Sequence, residues 1–135
     1  MKIALIGYGA MGKLIHALAE NKNHEIAVII DESDADLSAE ELAGKLEGVN
    51  AAIDFSVAEA VERNIRACLA ANVPLVEGTT GWNAQKETIK NLVEAEQGAF
   101  VFGANFSVGV NLFYRLTDFA AELFAKFADY ETFIE

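Results

Sequence analysis

The chain is predicted to fold as α/β, a doubly wound parallel sheet in a single domain, and three observations lead there. Short apolar runs of strand length, Lys2 to Ile6, Ile26 to Ile30, Val49 to Phe55, Leu75 to Glu77 and Ala99 to Phe102, alternate with longer segments whose apolar residues recur at helical spacing. The first run holds no turn residue and has the composition of a strand buried on both faces, as parallel strands are. Apolar residues make up 53% of the 135, enough for one domain with a proper core.

In the first unit, Lys2-Ile3-Ala4-Leu5-Ile6 runs into Gly7-Tyr8-Gly9-Ala10-Met11-Gly12. Beyond the loop, Met11, Leu14, Ile15 and Leu18 stand at i, i+3, i+4 and i+7, the expected buried side of a helix. A lone GxGxxG is weak, but this one closes a strand, opens a helix, and precedes a second run, Ile26 to Ile30, that ends in Asp31. That is the grammar of a Rossmann-like unit that binds a dinucleotide. Gly7 permits a tight turn, Gly9 lets the backbone approach a pyrophosphate, and Gly12 lets the helix lie near the strand. The N–H groups of Ala10, Met11 and their neighbours at the helix start would hold the phosphates, and Asp31 would accept hydrogen bonds from the adenosine ribose. A glycine turn that binds nothing is the competing reading, and the strand-loop-helix-strand-acid order weighs against it.

From Glu32 to Gly48 the chain is polar and acidic, with a capping box at Ser38-Ala39-Glu40-Glu41 that predicts a short helix. No Lys or Arg occurs between Asp31 and Lys45, so a 2′-phosphate would meet Asp31, Glu32 and Asp34 with no adjacent cation. NADH is therefore expected in preference to NADPH, with Lys13 beside the glycine loop as the one compensating charge.

The third strand ends in Asp54-Phe55-Ser56, and Val57 to Ala71 follows as a helix with Val61, Ile65, Cys68 and Leu69 on one face. Asn72-Val73-Pro74 stops it. Gly78-Thr79-Thr80-Gly81 comes after the fourth strand, and the helix Asn83 to Gln97 turns Ile89, Leu92 and Val93 inward. Gly103-Ala104-Asn105-Phe106-Ser107 closes the fifth strand, and Ser107 is the expected N-cap of a last helix from about Val108 to Phe127. In parallel sheets ligands lie across the carboxyl ends of the strands, so these segments should converge on one crevice. Asp54 either caps the helix after it or touches a ligand. Thr79 and Thr80 either make an ordinary turn or present their hydroxyls to a carboxamide or a substrate. Trp82 is expected to cover the edge of the core. The last helix has more apolar residues than one buried stripe needs, Leu112, Phe113, Leu116, Phe119, Leu123, Phe124 and Phe127 among them. Either a partner segment or subunit covers it, or the chain buries it on most sides.

Bulk properties exclude several classes. A net charge of −11 without a basic cluster argues against nucleic acid and anionic membranes, leaving a small molecule as the partner. No apolar run reaches the roughly 18 residues of a membrane span. Met1 leads straight into the first strand without a secretory pattern, and the lone Cys68 lies mid-helix as a buried small hydrophobe, so the expected location is cytoplasmic. With only His16 and His24 and no cysteine pair, no metal site is expected.

Taken together, Gly7-Tyr8-Gly9-Ala10-Met11-Gly12-Lys13, Asp54-Phe55-Ser56, Gly78-Thr79-Thr80-Gly81-Trp82 and Ala104-Asn105-Phe106-Ser107-Val108-Gly109-Val110-Asn111 resemble the amino-terminal domain of the dihydrodipicolinate reductases of the lysine and diaminopimelate pathway. The resemblance covers essentially the whole chain, and its last two motifs are not generic nucleotide-binding patterns. It implies that the first loop binds the pyrophosphate and Asp31 the ribose, that Phe55 and Ser56 flank the cofactor, and that Gly78-Thr79-Thr80 and Gly103-Ala104-Asn105-Phe106 line the nicotinamide end. Many members have a first loop one residue longer, Gly-x-x-Gly-x-Met-Gly. In the family, a strand like Tyr130 to Glu135 opens a substrate domain that carries a His-His pair, a Lys and an Asp-Ala-Pro-Ser-Gly loop. The expected organisation is thus a dinucleotide-binding domain over residues 1–127 and the start of a connection to a substrate domain over 128–135. The resemblance also implies a homotetramer for the complete enzyme. No catalytic residue is expected within this chain, which should bind NADH without turning over substrate.

Overall fold

The computed structural model describes residues 1–131 and 133, and the chain divides into two compact units, Met1–Ala104 and Asn105–Glu135. The first contains β1 (Lys2–Ile6), α1 (Ala10–Asn21), β2 (Glu25–Ile30), α2 (Ala39–Lys45), β3 (Ala51–Asp54), α3 (Val61–Ala70), β4 (Leu75–Glu77), α4 (Lys86–Ala95) and β5 (Phe100–Phe102). Its sheet has five strands in the order β2-β1-β3-β4-β5, and every pair is parallel. This is a Rossmann-like α/β sheet, with the strand order reversing between β1 and β3. That reversal leaves a crevice outside the carboxyl ends of the two strands.

The larger core cluster joins Ala4, Ile6, Leu42, Leu46, Ala52, Val61, Ile65, Leu75 and Ile89. Val61, Ile65 and Cys68 are all buried, the face expected of α3. The smaller cluster joins Ile3, Leu5 and Ala19, with Ile15, Ile26 and Ile53 packed against it. Trp82 is buried at the core edge with its ring edge-on to Phe102, 4.6 Å between centroids.

Local signals set most boundaries. Ser38 accepts from the Glu41 amide while its own amide donates to the Glu41 carboxylate at 2.7 Å, the reciprocal box expected for α2. The helices after β3 and β4 begin later than expected, each preceded by a single 3₁₀ turn, Ala58–Ala60 and Asn83–Gln85. Neither turn nor either helix has a side-chain cap, and uncapped starts commonly tighten in this way.

One expectation is overturned. The stripe Met11, Leu14, Leu18 is not the buried side of α1, for these residues are 46%, 55% and 50% exposed, while Gly12 and Ala19 are buried and Ile15 partly so. A Cβ on Gly12 would collide with the Gly7 carbonyl, so the helix is pressed against the loop on its glycine side. The residues that follow at helical spacing, Ile15 and Ala19, must then face the sheet, and the larger residues are carried around to the outside.

The second unit contains α5 (Val108–Phe124), whose N-cap Ser107 accepts from the Val110 amide as expected. Asn111 donates to the carbonyls of Asn105 and Ser107, so the segment before the helix is tied to its first turn. No residue of α5 is buried; Leu112, Phe113, Leu116 and Phe119 are all exposed, and the helix ends three residues short of the expected Phe127. The strand expected from Tyr130 to Glu135 falls largely outside the described residues, since Thr132, Ile134 and Glu135 are not among them.

Candidate functional site

A cavity of about 670 Å³ opens at the strand-order reversal. Gly7, Tyr8 and Gly9 after β1, Asp31, Glu32, Ser33 and Ala35 after β2, Phe55, Ser56, Val57 and Ala60 after β3, and Arg63 and Asn64 of α3 line it.

The loop is shaped by contacts that admit no side chain. Gly7 has φ +85°, its amide donates to the Ile30 carbonyl at 2.8 Å, and a Cβ there would strike the Phe55 carbonyl. Around Gly9, by contrast, a Cβ would meet nothing within 4 Å, so the backbone here borders open space. Gly9 is the N-cap of α1 and gives the helix no side-chain acceptor. The first turn of α1 therefore has no side-chain cap, and the positive end of a helix of 12 residues favours an anion beside Gly9; Ala10 and Met11 lie just outside the cavity lining. Tyr8 leans back along α1, its hydroxyl 2.7 Å from His16 Nδ1, and His16 Nε2 is 3.4 Å from Glu20.

At the far wall Asp31 begins a short turn. Its Oδ1 accepts from the Ser33 amide at 2.9 Å and the Ser33 hydroxyl at 2.8 Å, and the Ser33 hydroxyl chiefly holds its carboxyl below the usual carboxylate range. That leaves an ionised carboxylate on the cavity wall. Arg63, which sequence reasoning missed, stands in the same wall. Its guanidinium donates to the carbonyls of Asp34, Ala35 and Leu37, at 3.3 and 3.2 Å for the first and last, and so staples the loop after β2 to α3. No local pattern could have found it, because the contacts span 26 to 29 residues.

Of the residues singled out from sequence, Gly7, Tyr8, Gly9, Asp31, Phe55 and Ser56 line the cavity. Gly12 is buried behind it. Gly78 packs so tightly on the Phe55 ring that a Cβ would overlap it. Thr79 is buried and faces Asp54 rather than the cavity, its hydroxyl donating to Asp54 Oδ1 at 3.3 Å and accepting from the Ser56 amide at 3.0 Å. Thr80 is exposed. The Gly103 amide donates to the Glu77 carbonyl at 3.1 Å, Ala104 ends the first unit, and Asn105 and Phe106 begin the second. Asp54 takes neither of the roles considered for it. It is fully buried and accepts from the Ser56 amide at 2.8 Å and from Asn64 Nδ2 at 2.8 Å, bracing the floor beneath Ser56.

Residues 1–106 match the family described as Dihydrodipicolinate reductase, N-terminus. The chain belongs to this family. Among curated relatives, the 4-hydroxy-tetrahydrodipicolinate reductase of Christiangramia forsetii is 36% identical over 137 residues, covering 100% of this chain and 54% of the relative. That of Psychrobacter arcticus is 36% identical over 97% of the chain, and that of Acinetobacter baylyi 30% identical over 96%. The chain thus spans about half the length of the curated relatives it matches. The dihydrodipicolinate reductase match takes in every strand of the sheet and the whole cavity lining. No helix among the described residues is long and apolar enough to cross a membrane, and no group of three or more His, Cys, Asp or Glu there could hold a metal ion.

Proposed function

We infer that this chain is the cofactor-binding part of a reductase that transfers hydride from NAD(P)H to 4-hydroxy-tetrahydrodipicolinate, in lysine and diaminopimelate biosynthesis. The observation that carries the reading is the cavity itself, where the glycine loop, with open backbone at the α1 N-cap Gly9, and the ionised Asp31 border one space. Those residues fit a dinucleotide. The amides of Ala10, Met11 and Gly12 would bind the diphosphate, Asp31 the adenosine ribose, and Phe55 and Ser56 would flank the path toward the nicotinamide. A bound nicotinamide dinucleotide supplies the hydride, and this chain's residues hold and orient it. Gly78, Thr79, Thr80, Gly103, Ala104, Asn105 and Phe106 are proposed to border the nicotinamide end, with Thr79 acting from beneath by holding Ser56.

NADH is the proposed preference. A 2′-phosphate would face the carboxylates of Asp31 and Glu32, and Arg63, the cation of the cavity lining, holds the loop after β2 through its Nη1. The cavity lining contains no His or Lys to donate a proton to the substrate, and binding without turnover is proposed for the isolated 135 residues. The complete enzyme is proposed to be a cytoplasmic homotetramer, with residues 128–135 leading to a substrate domain and the exposed apolar side chains of α5 covered in that assembly.

Fluorescence titration with NADH and NADPH tests the central claim. NADH should bind more tightly than NADPH, and Asp31→Ala should weaken NADH about tenfold, the worth of roughly 1.4 kcal/mol in lost ribose contacts. Absence of NADH binding would end the reading, and equal affinity for the two cofactors would end the preference. A steady-state assay showing reduction at a normal rate by the isolated chain would refute the expectation of no turnover.

A further inference from the structure

Beneath the cavity floor lies a pair of acids that dinucleotide binding does not by itself require. Asp54 and Glu77 are the last residues of β3 and β4, adjacent in register, and both are 0% exposed. Two carboxyl groups buried side by side repel each other when both are ionised, which favours keeping one of them protonated.

The donors around them are divided unequally. Asp54 accepts from the Ser56 amide, the Thr79 hydroxyl and Asn64 Nδ2, whereas Glu77 accepts from the Thr79 amide, at 2.7 Å on Oε1. Glu77 Oε2 is buried with no donor among the described residues. That buried oxygen, beside a carboxylate already supplied with donors, is the place for a proton.

No counter-charge replaces that proton. From α3, Asn64 and Cys68 face the pair; burial pushes the Cys68 thiol up to about 12, with Asp54 and Glu77 adding to it. Arg63 on the same helix is turned to the carbonyls of residues 34, 35 and 37, and Glu62 pairs with Arg66. From β5, Phe102 stands beside Glu77 in register, and the Lys86 ammonium of α4 lies over the Phe102 and Trp82 rings. No cation among the described residues forms an ion pair with either acid.

We propose that Glu77 is a positioning residue held neutral, whose proton is shared with Asp54 and locks the ends of β3 and β4 together, so that the Phe55-Ser56 edge of the cavity is formed only while that proton is present. The locked parts are continuous: Thr79 is held by Glu77 through its amide and by Asp54 and Ser56 through its hydroxyl, and Asn64 Nδ2 also reaches Ser56 Oγ at 3.2 Å. Loss of the proton would leave two buried anions face to face and push the strand ends apart. Burial, and after it the Asp54 charge, push the Glu77 carboxyl up to about 8, so the lock is closed at neutral pH and opens in mildly alkaline solution.

The consequence for ligand rests on the dinucleotide reading above, but the proton itself does not. Carbon-13 NMR titration of the side-chain carboxyls in the 135-residue chain should show one resonance titrating near pH 8 that is absent from Glu77→Gln and moved to lower pH in Asp54→Asn. NADH affinity of the wild-type chain should fall about tenfold between pH 7 and pH 9, as the binding-competent fraction falls to about a tenth. Glu77→Gln, which keeps a neutral donor, should flatten that profile. A Glu77 carboxyl titrating in the ordinary glutamate range, or a Gln variant with the wild-type pH profile, would overturn the proposal. If NADH binds at no pH, the dinucleotide reading fails while the NMR titration still decides whether the proton is there.

Discussion

The loops after β1 and β4 are both glycine-rich, and they spend their polar groups in opposite directions. Gly7 to Gly12 turns amides outward: Gly9 borders open space and the helix start has no side-chain cap. Gly78 to Gly81 turns its polar groups inward: Thr79 binds Asp54, Glu77 and Ser56, and its carbonyl accepts from Trp82 Nε1 at 2.7 Å. The first loop leaves open backbone at the cavity, while the second braces the Phe55-Ser56 segment from below. A glycine-rich segment at the carboxyl end of a parallel strand is therefore not in itself a ligand contact. What distinguishes the two is whether a buried partner is already waiting for the polar groups.

Four substitutions or conditions would break or sharpen that contrast. Gly7→Ala should have the largest effect, about 3 kcal/mol of stability by urea denaturation together with loss of NADH binding, because it combines a positive φ with a collision at the Phe55 carbonyl. A well-folded Ala variant that binds NADH would show that the loop is not held as tightly as its contacts imply. Next is pH. The Glu77 carboxyl is raised from an ordinary 4.5 to about 8 in the folded chain, so the folded state binds the extra proton between those values. Its contribution is fully present below the lower value and is lost as pH rises through the upper one, so the stability measured by urea denaturation should fall steadily from pH 5 to pH 8. Glu77→Gln should remove most of that slope, and an unchanged slope would place the titration elsewhere.

Smaller effects separate the two threonines. Thr79→Val removes a buried hydroxyl that serves Asp54 and Ser56 and should cost about 1 kcal/mol, with a comparable weakening of NADH through Ser56. Thr80→Val, at an exposed position, should change stability by less than about 0.5 kcal/mol. If Thr80→Val weakened NADH more than Thr79→Val, the second loop would act on the ligand through Thr80 directly rather than through Ser56.

Within the second unit, α5 shows the limit of reading burial from pattern. Its apolar residues keep a helical spacing, and its N-cap forms as expected, yet none of its side chains is buried. Spacing and capping are properties of the helix itself; burial depends on what lies alongside. The same distinction holds in α1, where spacing marked Met11, Leu14 and Leu18 as the inner stripe and contact with the loop selected Gly12, Ile15 and Ala19 instead.

By itself the sequence determined the alternation of strands and helices, the glycine turn between β1 and α1, the Asp31 at the end of β2, and the caps at Ser38 and Ser107, because each depends on dihedral preferences or hydrogen bonds that close within a few residues. Tertiary structure alone decided which side of α1 faces the sheet, that Arg63 staples the loop after β2, and that Asp54, Glu77 and Thr79 form one buried network. Those outcomes depend on strand order and register, which bring together residues more than 20 positions apart, and on exclusion of water, which changes what an acid at a strand end can do.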